Sequence, residues 1–340
     1  MSITRRSFLS TAGNLVAASA TVSIIGSKQV YANTGTKITI QVNTTMKPGG
    51  SEDAGIKKFA GTLEKLAPGK FDVVPFMSGQ LGGENSILEL LNIGETQISL
   101  TGGNWRTQYG PTYDPVSIPF LFPNGNSVDE YMGTVSGNKL TTLAENLGGI
   151  VHMGTQARAP RHMTSNRAIH TPADLEGLRL RLPAIPVWID IWSSMGVQTV
   201  VVPAPEIFLA MQTGQVDAHE NTLASPYFRK LYEVQSHLIL TGHVHFPWHW
   251  VASKSWLDTL SATDRATVEQ AVQIARVEGS MVEAQKDIFY LNELKKKGMK
   301  VIEPDVAAFK EAAQPAIDTA IGNLADGVLA DVNSAIAAAG

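Results

Sequence analysis

Two arginines alternate with three leucines in the segment LRLRLP, residues 178–183. Successive side chains of a β-strand point to opposite faces, so the leucines share one face and Arg179 and Arg181 share the other. The leucines suit a hydrophobic core. A guanidinium offers two parallel hydrogen bonds to one carboxylate and stays charged at any working pH. The segment therefore predicts a carboxylate site or, as the alternative for each arginine, a structural ion pair.

Arg181 and Arg161 are the arginines best placed to meet a ligand. Ligands of open α/β sheets bind beyond the carboxyl ends of strands, and Arg181 lies at that end of its strand, next to Pro183. Arg179 lies earlier in the strand, where we expect it to reach an acidic neighbour or the flank of the sheet. Arg161 opens a short strand just after the first half of the fold, so we expect it near a junction between two lobes.

Four further residues stand at strand ends or at a helix start, and each is a candidate for the wall of a ligand cleft. They are Asn221 at the end of VDAHEN, Glu84 after GQLGG, Asn43 at the end of the first strand and Trp105 after TGGN. The alternative for the two amides is a turn or a helix cap. The alternative for the glutamate is a favourable interaction with the helix dipole.

Catalytic and metal-binding patterns are weak in this sequence. His243, His245 and His249 of HVHFPWHW would suit a metal, but no neighbouring cysteine or acid completes a ligand set. The sequence contains no P-loop, G-x-S-x-G or H-E-x-x-H motif, no G-x-G-x-x-G after its first strand, and no cysteine. We therefore expect a binding protein without cofactor or metal, and keep an exported enzyme as the alternative.

The first 32 residues have the composition of an export signal. Arg5 and Arg6 precede an apolar stretch at 12–26, and VYA at 30–32 fits a cleavage site. TRRSFL fits the twin-arginine type. The apolar stretch is shorter than the roughly 20 residues of a spanning helix. We predict cleavage after Ala32 and a soluble periplasmic chain, with a retained anchor as the alternative.

The charge of the chain limits its partners. Charged residues make up 17% of the 340 residues and the formal net charge is −4. Residues 1–32 hold three basic residues and no acid, so their removal leaves 24 basic against 31 acidic residues. No basic cluster indicates nucleic acid. An anionic ligand would need a local positive site in this negative field.

The pattern of predicted elements is α/β. Strand and helix signals alternate as βαβαβ from residue 37, which predicts a parallel sheet covered by helices. The alternation restarts at residue 161, so we expect two α/β lobes. Residues 259–297 have the pattern of one long helix of about 55 Å, longer than one lobe is wide. We expect this helix to lie across both lobes.

The blocks 161–183 and 194–221, with the GQLGGE turn, resemble the periplasmic solute-binding subunits of TRAP transporters, the DctP family. This resemblance covers the whole chain after the signal. It implies a two-lobed periplasmic-binding-protein-like fold that closes a cleft on a small organic anion. The expected division is a signal at 1–32, one lobe from 33–158 with 247–286, and a second from 159–246 with 287–340.

The resemblance also implies roles for particular residues. Arg181 would make the main carboxylate pair, Arg161 would face the pocket and Asn221 would contact the ligand. Asn43 and Glu84 match positions that line the cleft in some members. The sialic-acid branch has an acid where this chain has TGGNWR, and a phenylalanine where it has Ala204, which disfavours that ligand.

The functional prediction is a monomeric capture protein that serves TRAP membrane subunits. We rank a sugar acid or hydroxy acid above a C4-dicarboxylate, which would use Arg161 for its second carboxylate, and keep a sulfonate open. A sensor subunit that presents its ligand to a receptor is a further alternative.

Overall fold

The computed structural model describes residues 37–340, so the predicted signal and its cleavage site lie outside the described residues. The described part forms eleven strands: β1 (Ile38–Asn43), β2 (Phe71–Phe76), β3 (Ile98–Thr101), β4 (Ile150–Gln156), β5 (Arg161–Ser165), β6 (Arg179–Leu182), β7 (Gln198–Val201), β8 (Ala218–Asn221), β9 (His237–Val244), β10 (Trp248–Ser253) and β11 (Lys300–Ile302). Within residues 37–340 we find no helix with the length and apolar character needed to cross a membrane.

Twelve α-helices occur in the same residues. They are α1 (Ser51–Leu66), α2 (Glu84–Ile93), α3 (Asn104–Tyr109), α4 (Gly125–Met132), α5 (Val135–Gly148), α6 (Pro186–Ser194), α7 (Ile207–Gln212), α8 (Ala224–Phe228), α9 (Lys254–Leu257), α10 (Ala262–Lys296), α11 (Val306–Gly322) and α12 (Val328–Ala338). The alternation of strands and helices agrees with the α/β prediction.

The strands form two separate sheets. The first has the order β2-β1-β3-β10-β4, and the second has the order β11-β9-β5-β8-β6-β7. In the first sheet β1 runs parallel to β2 and β3, as the βαβαβ pattern predicts, while β10 enters antiparallel between β3 and β4. The chain crosses between the sheets at residues 157–160 and again at 245–247.

Each sheet has its own hydrophobic core. Ile40, Val42 and Leu100 of the first sheet pack in one cluster, and Leu180 and Leu182 of β6 pack in another. The leucine face of LRLRLP is therefore core, as its alternation predicts. The division at 158, 246 and 286 stays a prediction; the last helix, α12, packs in a cluster that also holds residues of α2, α5 and β10.

The long helix α10 has 35 residues and spans about 52 Å at 1.5 Å per residue. Val268 and Val272, near its start, pack in the core of the first sheet. Tyr290 and Leu294, near its end, pack with Leu238 of β9 in the second sheet. The helix thus joins both sheets, which confirms the prediction of one helix across two lobes.

Candidate ligand-binding site

A cavity of about 430 Å³ lies between the two sheets. Its wall draws residues from both sides, such as Thr45 and Glu84 from the first and Arg181 from the second. Four of the six predicted site residues line it, namely Arg181, Arg161, Asn221 and Glu84. The topology brings these four together from β5, β6, β8 and α2, although they are far apart in sequence.

Arg181 is buried in the wall of this cavity, with 3% of its surface exposed. Its Nε donates to the carbonyl oxygen of Val202 at 2.7 Å. Its two terminal nitrogens make no hydrogen bond with any described residue, and no carboxylate of residues 37–340 lies within salt-bridge distance. Burial lowers the pKa of Arg181 to about 9, so the side chain is still a cation at neutral pH. The open end of the guanidinium is thus free to bind an anion.

Arg179 does not line this cavity, and it has the acidic neighbour that we expect. Its Nε and Nη2 donate to the Asp217 carboxylate at 2.8 and 2.6 Å. Both side chains are about a third or more exposed. The two arginines of LRLRLP therefore have different partners: Arg179 forms a surface ion pair and Arg181 faces the cavity.

Arg161 lines the cavity but already has a counter-ion. Its Nε and Nη2 donate to the two carboxylate oxygens of Glu220 at 2.6 and 2.7 Å. Burial alone would raise the pKa of Glu220, but the charge of Arg161 and hydrogen bonds from His243 and Arg161 lower it to about 2. His243 lies with Nε2 at 3.2 Å from the same carboxylate. The ion-pair alternative therefore holds for Arg161.

Asn221 and Arg158 form the next part of the wall. Arg158 Nη2 donates to Asn221 Oδ1 at 2.9 Å and to Thr222 Oγ1 at 3.3 Å, and its guanidinium lies 4.1 Å from the ring centre of Trp248. The amide oxygen of Asn221 is thus occupied. Its Nδ2 has only a long contact of 3.5 Å to His219 and remains available to a ligand.

Glu84 is the first residue of α2 and enters the cavity behind the glycines of GQLGG. Its Oε1 accepts the backbone N–H of Gly102 at 2.9 Å. A Cβ at position 102 would lie 2.9 Å from the same oxygen, so a side chain there would displace the carboxylate from this position. One carboxylate oxygen is fixed in this way, and the other can accept a hydroxyl hydrogen.

Asn43 and Trp105 do not line the cavity. Asn43 Oδ1 accepts from Ser99 Oγ at 2.8 Å and Nδ2 donates to the Ile98 carbonyl at 3.2 Å, so the amide ties β1 to β3. Trp105 is fully buried and stacks on His152. Residues adjacent on a helix point about 100° apart, and its neighbour Asn104 faces the cavity instead.

The histidines of HVHFPWHW have separate partners. His243 contacts Glu220, whereas His249 of β10 contacts His152 of β4 and the buried Arg106 of α3. Burial lowers the pKa of His243 and His249. Over residues 37–340 no three potential metal-ligating side chains of His, Cys, Asp or Glu converge.

Sequence reasoning missed Arg158, Arg229 and the aromatic wall. The wall consists of Trp188, Phe246 and Trp248. The Arg161 guanidinium lies 4.8 Å from the ring centre of Trp188. Two local features could have indicated part of this wall: Arg158 lies three residues before Arg161, and FPW is an aromatic segment where the chain crosses between the sheets. No local feature of the sequence indicates Arg229.

Comparison with known proteins agrees with this architecture. The family model described as bacterial extracellular solute-binding protein, family 7 (DctP) matches residues 42–323. A solute-binding protein of Roseobacter denitrificans is 30% identical over 265 residues, which are 76% of this chain and 80% of the relative. The crystal structure of that relative, a TRAP periplasmic solute-binding protein with bound L-galactonate, superposes with a TM-score of 0.82, covering 88% of this chain and 98% of the other at 26% identity.

A second solved structure gives the same result. A TRAP periplasmic solute-binding protein of Polaromonas with bound D-erythronate has a TM-score of 0.82 and 26% identity, and the match covers 88% of this chain and 99% of the other. These relatives are substrate-binding transport proteins, so this chain is a transport protein and not an enzyme. The chain belongs to the DctP family of bacterial extracellular solute-binding proteins, the solute-binding subunits of TRAP transporters.

Proposed function

We propose that this protein captures a small organic carboxylate, a sugar acid or hydroxy acid, and that Arg181 binds the carboxylate. One observation carries the proposal: a buried guanidinium lines a cavity with both terminal nitrogens free of partners among the described residues. Carboxylates bind guanidinium groups through two parallel hydrogen bonds. The cavity walls shield this cation from bulk solvent, so an anion that enters the cavity would give a charge-assisted contact to a buried group that otherwise lacks a counter-ion.

Hydroxylated acids suit the remaining walls best. The second oxygen of Glu84 and the Nδ2 of Asn221 are an acceptor and a donor for hydroxyl groups. Trp188 and Phe246 supply apolar faces for a carbon chain. L-galactonate and D-erythronate, bound by the two relatives, are acids of this type. A further relative, the 2,3-diketo-L-gulonate-binding periplasmic protein of Escherichia coli, is 27% identical over 266 residues and is named for a third such acid.

The ligand would act by making closure of the cleft favourable. Contacts already cross the cleft: Arg229 Nη2 donates to the Thr45 carbonyl at 3.0 Å, and a Cβ on Gly79 would lie 2.6 Å from Pro205 Cγ. Closing over an unpaired Arg181 is costly because a buried charge without a partner is unfavourable. A carboxylate removes that cost, so the ligand shifts the population toward the closed state.

We further propose that the protein acts as a monomer in the periplasm after export by the twin-arginine route, and delivers its ligand to TRAP membrane subunits. The basis for the route is TRRSFL with the apolar stretch that follows it. We propose no nucleic-acid partner, because the sequence lacks a basic cluster.

The test is a thermal-shift screen of organic acids followed by calorimetry. A ligand at 100 times its Kd stabilises the fold by about 2.7 kcal/mol. Arg181→Ala should lose about 2–5 kcal/mol of binding free energy, roughly 30- to 4,000-fold in affinity. Arg179→Ala removes the same charge from a partly exposed position of the same strand outside the cavity, and this variant should bind as the wild type does. Equal affinity in Arg181→Ala and the wild type would refute the proposal.

A further inference from the structure

A second cation in the cavity, Arg229, also lacks a counter-ion among the described residues. It follows α8 directly, is 7% exposed and lines the cavity on the side of the second sheet. Its Nη2 donates to the Thr45 carbonyl at 3.0 Å and contacts the sulfur of Met46 at 3.7 Å. Its Nε is buried without a partner, and its Nη1 makes no hydrogen bond with a described residue. No carboxylate of residues 37–340 lies within salt-bridge distance of it.

Three of the four arginines in the cavity wall have no carboxylate of residues 37–340 within salt-bridge distance. Arg161 is neutralised by Glu220, and Arg158 has Asn221, Thr222 and the face of Trp248. Arg181 and Arg229 each keep terminal nitrogens without a hydrogen bond to any described residue. Glu84 and Glu206 are acids of the same wall. Glu84 accepts a backbone N–H, and neither acid pairs with an arginine of residues 37–340.

Both uncompensated arginines remain charged. Burial lowers the pKa of Arg229 to about 10, with Glu52 and Glu84 opposing this shift. Burial lowers that of Arg181 to about 9, and the positive charge of Arg229 contributes to the lowering. The two guanidiniums therefore repel each other within one cavity. A ligand with one carboxylate can pair directly with only one of the two guanidiniums, and the other is then opposed only by acids beyond salt-bridge distance, such as Glu84.

We propose that Arg229 determines specificity by binding a second acidic group of the ligand, so that the preferred solute is a hydroxylated dicarboxylate rather than an acid with one carboxylate. The proposal rests on the proposed function, in which Arg181 binds the first carboxylate. It places the second carboxylate at Arg229 and not at Arg161, whose fork is filled by Glu220.

The position of Arg229 also couples this recognition to closure. Its side chain comes from the second sheet, while Thr45 and Met46 belong to the loop after β1 of the first. A second carboxylate bound there would compensate a cation that closure buries. An acid without that group would leave the cation buried and unpaired, which is unfavourable.

Two pairs of ligands test this with calorimetry on the mature chain. Galactonate and galactarate share a carbon chain and differ only in the terminal group, as do erythronate and meso-tartrate. We expect the dianion of at least one pair to bind the wild type at least tenfold more tightly than its monoanion. In Arg229→Gln the dianion should lose at least tenfold more affinity than the monoanion does. Arg229→Lys should retain part of the preference, because it keeps the charge.

Lys230→Gln is the matched control, because it removes the same charge from the exposed neighbouring position. It should keep the wild-type preference. If Arg229→Gln weakens both members of a pair by the same factor, Arg229 only fastens the cleft and the inference is overturned. It is also overturned if the wild type binds the monoanions as tightly as the dianions, although the proposed function then stands. If no organic acid in the thermal-shift screen stabilises the wild type, the proposed function fails first.

Discussion

Arg161 and Glu220 form an ion pair with two hydrogen bonds, of 2.6 and 2.7 Å, in the wall of the cavity. The pair joins the neighbouring antiparallel strands β5 and β8. Glu220 occupies the fork of Arg161 and balances its charge. Arg161 therefore contributes to the shape of the cavity wall rather than a free positive charge for the ligand. We therefore propose that recognition of the ligand's carboxylate depends on Arg181, which has no such partner among the described residues.

The geometry of the Arg181 fork is the subject of the first prediction. Arg181→Lys keeps the positive charge but replaces a planar fork by a single ammonium, which cannot make two parallel hydrogen bonds. We expect the affinity for the best ligand of the screen to fall about tenfold or more, or about 1.4 kcal/mol. Calorimetry measures this, with Arg179→Lys as the control on the same strand. A Kd within twofold of the wild type would contradict bidentate binding.

A second prediction concerns the stability that Glu220 gives to the unliganded protein. Glu220→Gln leaves Arg161 buried without its counter-charge, and breaking a buried pair in this way costs about 3–5 kcal/mol of unfolding free energy. Asp217→Asn breaks the pair with Arg179, which is partly exposed, and should cost at most about 1 kcal/mol. Urea denaturation of both variants gives the comparison. Similar losses in the two would show that burial does not set the strength of the inner pair.

The position of Arg181 is predictable from the sequence, whereas the pairing of Arg161 is not. Alternation with leucines that suit a core, together with the place at a strand end, is enough to put Arg181 on the cavity face. The partner of Arg161 depends on β8 lying beside β5, and that follows from the sheet order and not from a local pattern. The fold class is predictable for the same reason as Arg181, because strand and helix periodicities are local.

The site residues that could not be predicted from the sequence are those whose side-chain contacts join distant segments of the chain. Arg229 meets Thr45 across 184 residues of sequence, and no nearby motif marks it. Asn43 stands at a strand end, as a ligand-binding amide would, but its side chain hydrogen-bonds to β3. Strand-end position predicts proximity to the cleft, whereas the direction of the side chain depends on neighbours that come from elsewhere in the chain.

The buried carboxyl of Glu52 gives a third prediction, on pH. Burial and the nearby Glu283 carboxylate raise the pKa of Glu52 from about 4.5 to about 7, although Arg158 opposes this shift. Between pH 4.5 and about 7 the folded state therefore keeps Glu52 protonated, whereas the unfolded chain has lost this proton. The contribution of Glu52 to the free energy of unfolding is thus largest below pH 4.5 and decreases as pH rises to about 7. Over that interval the free energy of unfolding of the wild type should fall by about 3 kcal/mol because of Glu52. In Glu52→Gln this decrease should be absent.

Measuring the free energy of unfolding of Glu52→Gln and the wild type from about pH 4.5 to about pH 8 tests this. The difference between the two proteins isolates Glu52 from other groups, such as Asp287, whose pKa is raised to about 6 mainly by burial. The variant should gain on the wild type as pH rises, and the gain should level off above about pH 7. A difference that does not change with pH would show that Glu52 is ionised in the folded state.

The contact between Gly79 and Pro205 leads to the last prediction, on cleft closure. Gly79 has φ +71°, and a Cβ there would lie 2.6 Å from Pro205 Cγ on the opposite side of the cleft. Gly69 has the same φ, but a Cβ there would meet nothing within 4 Å. Gly79→Ala and Gly69→Ala should therefore share a backbone cost of about 1–2 kcal/mol in unfolding free energy. Only Gly79→Ala should also bind ligand more weakly in calorimetry, because its methyl group holds the two sides apart in the closed state. Equal affinities in the two variants would mean that ligand binding does not require this rim contact.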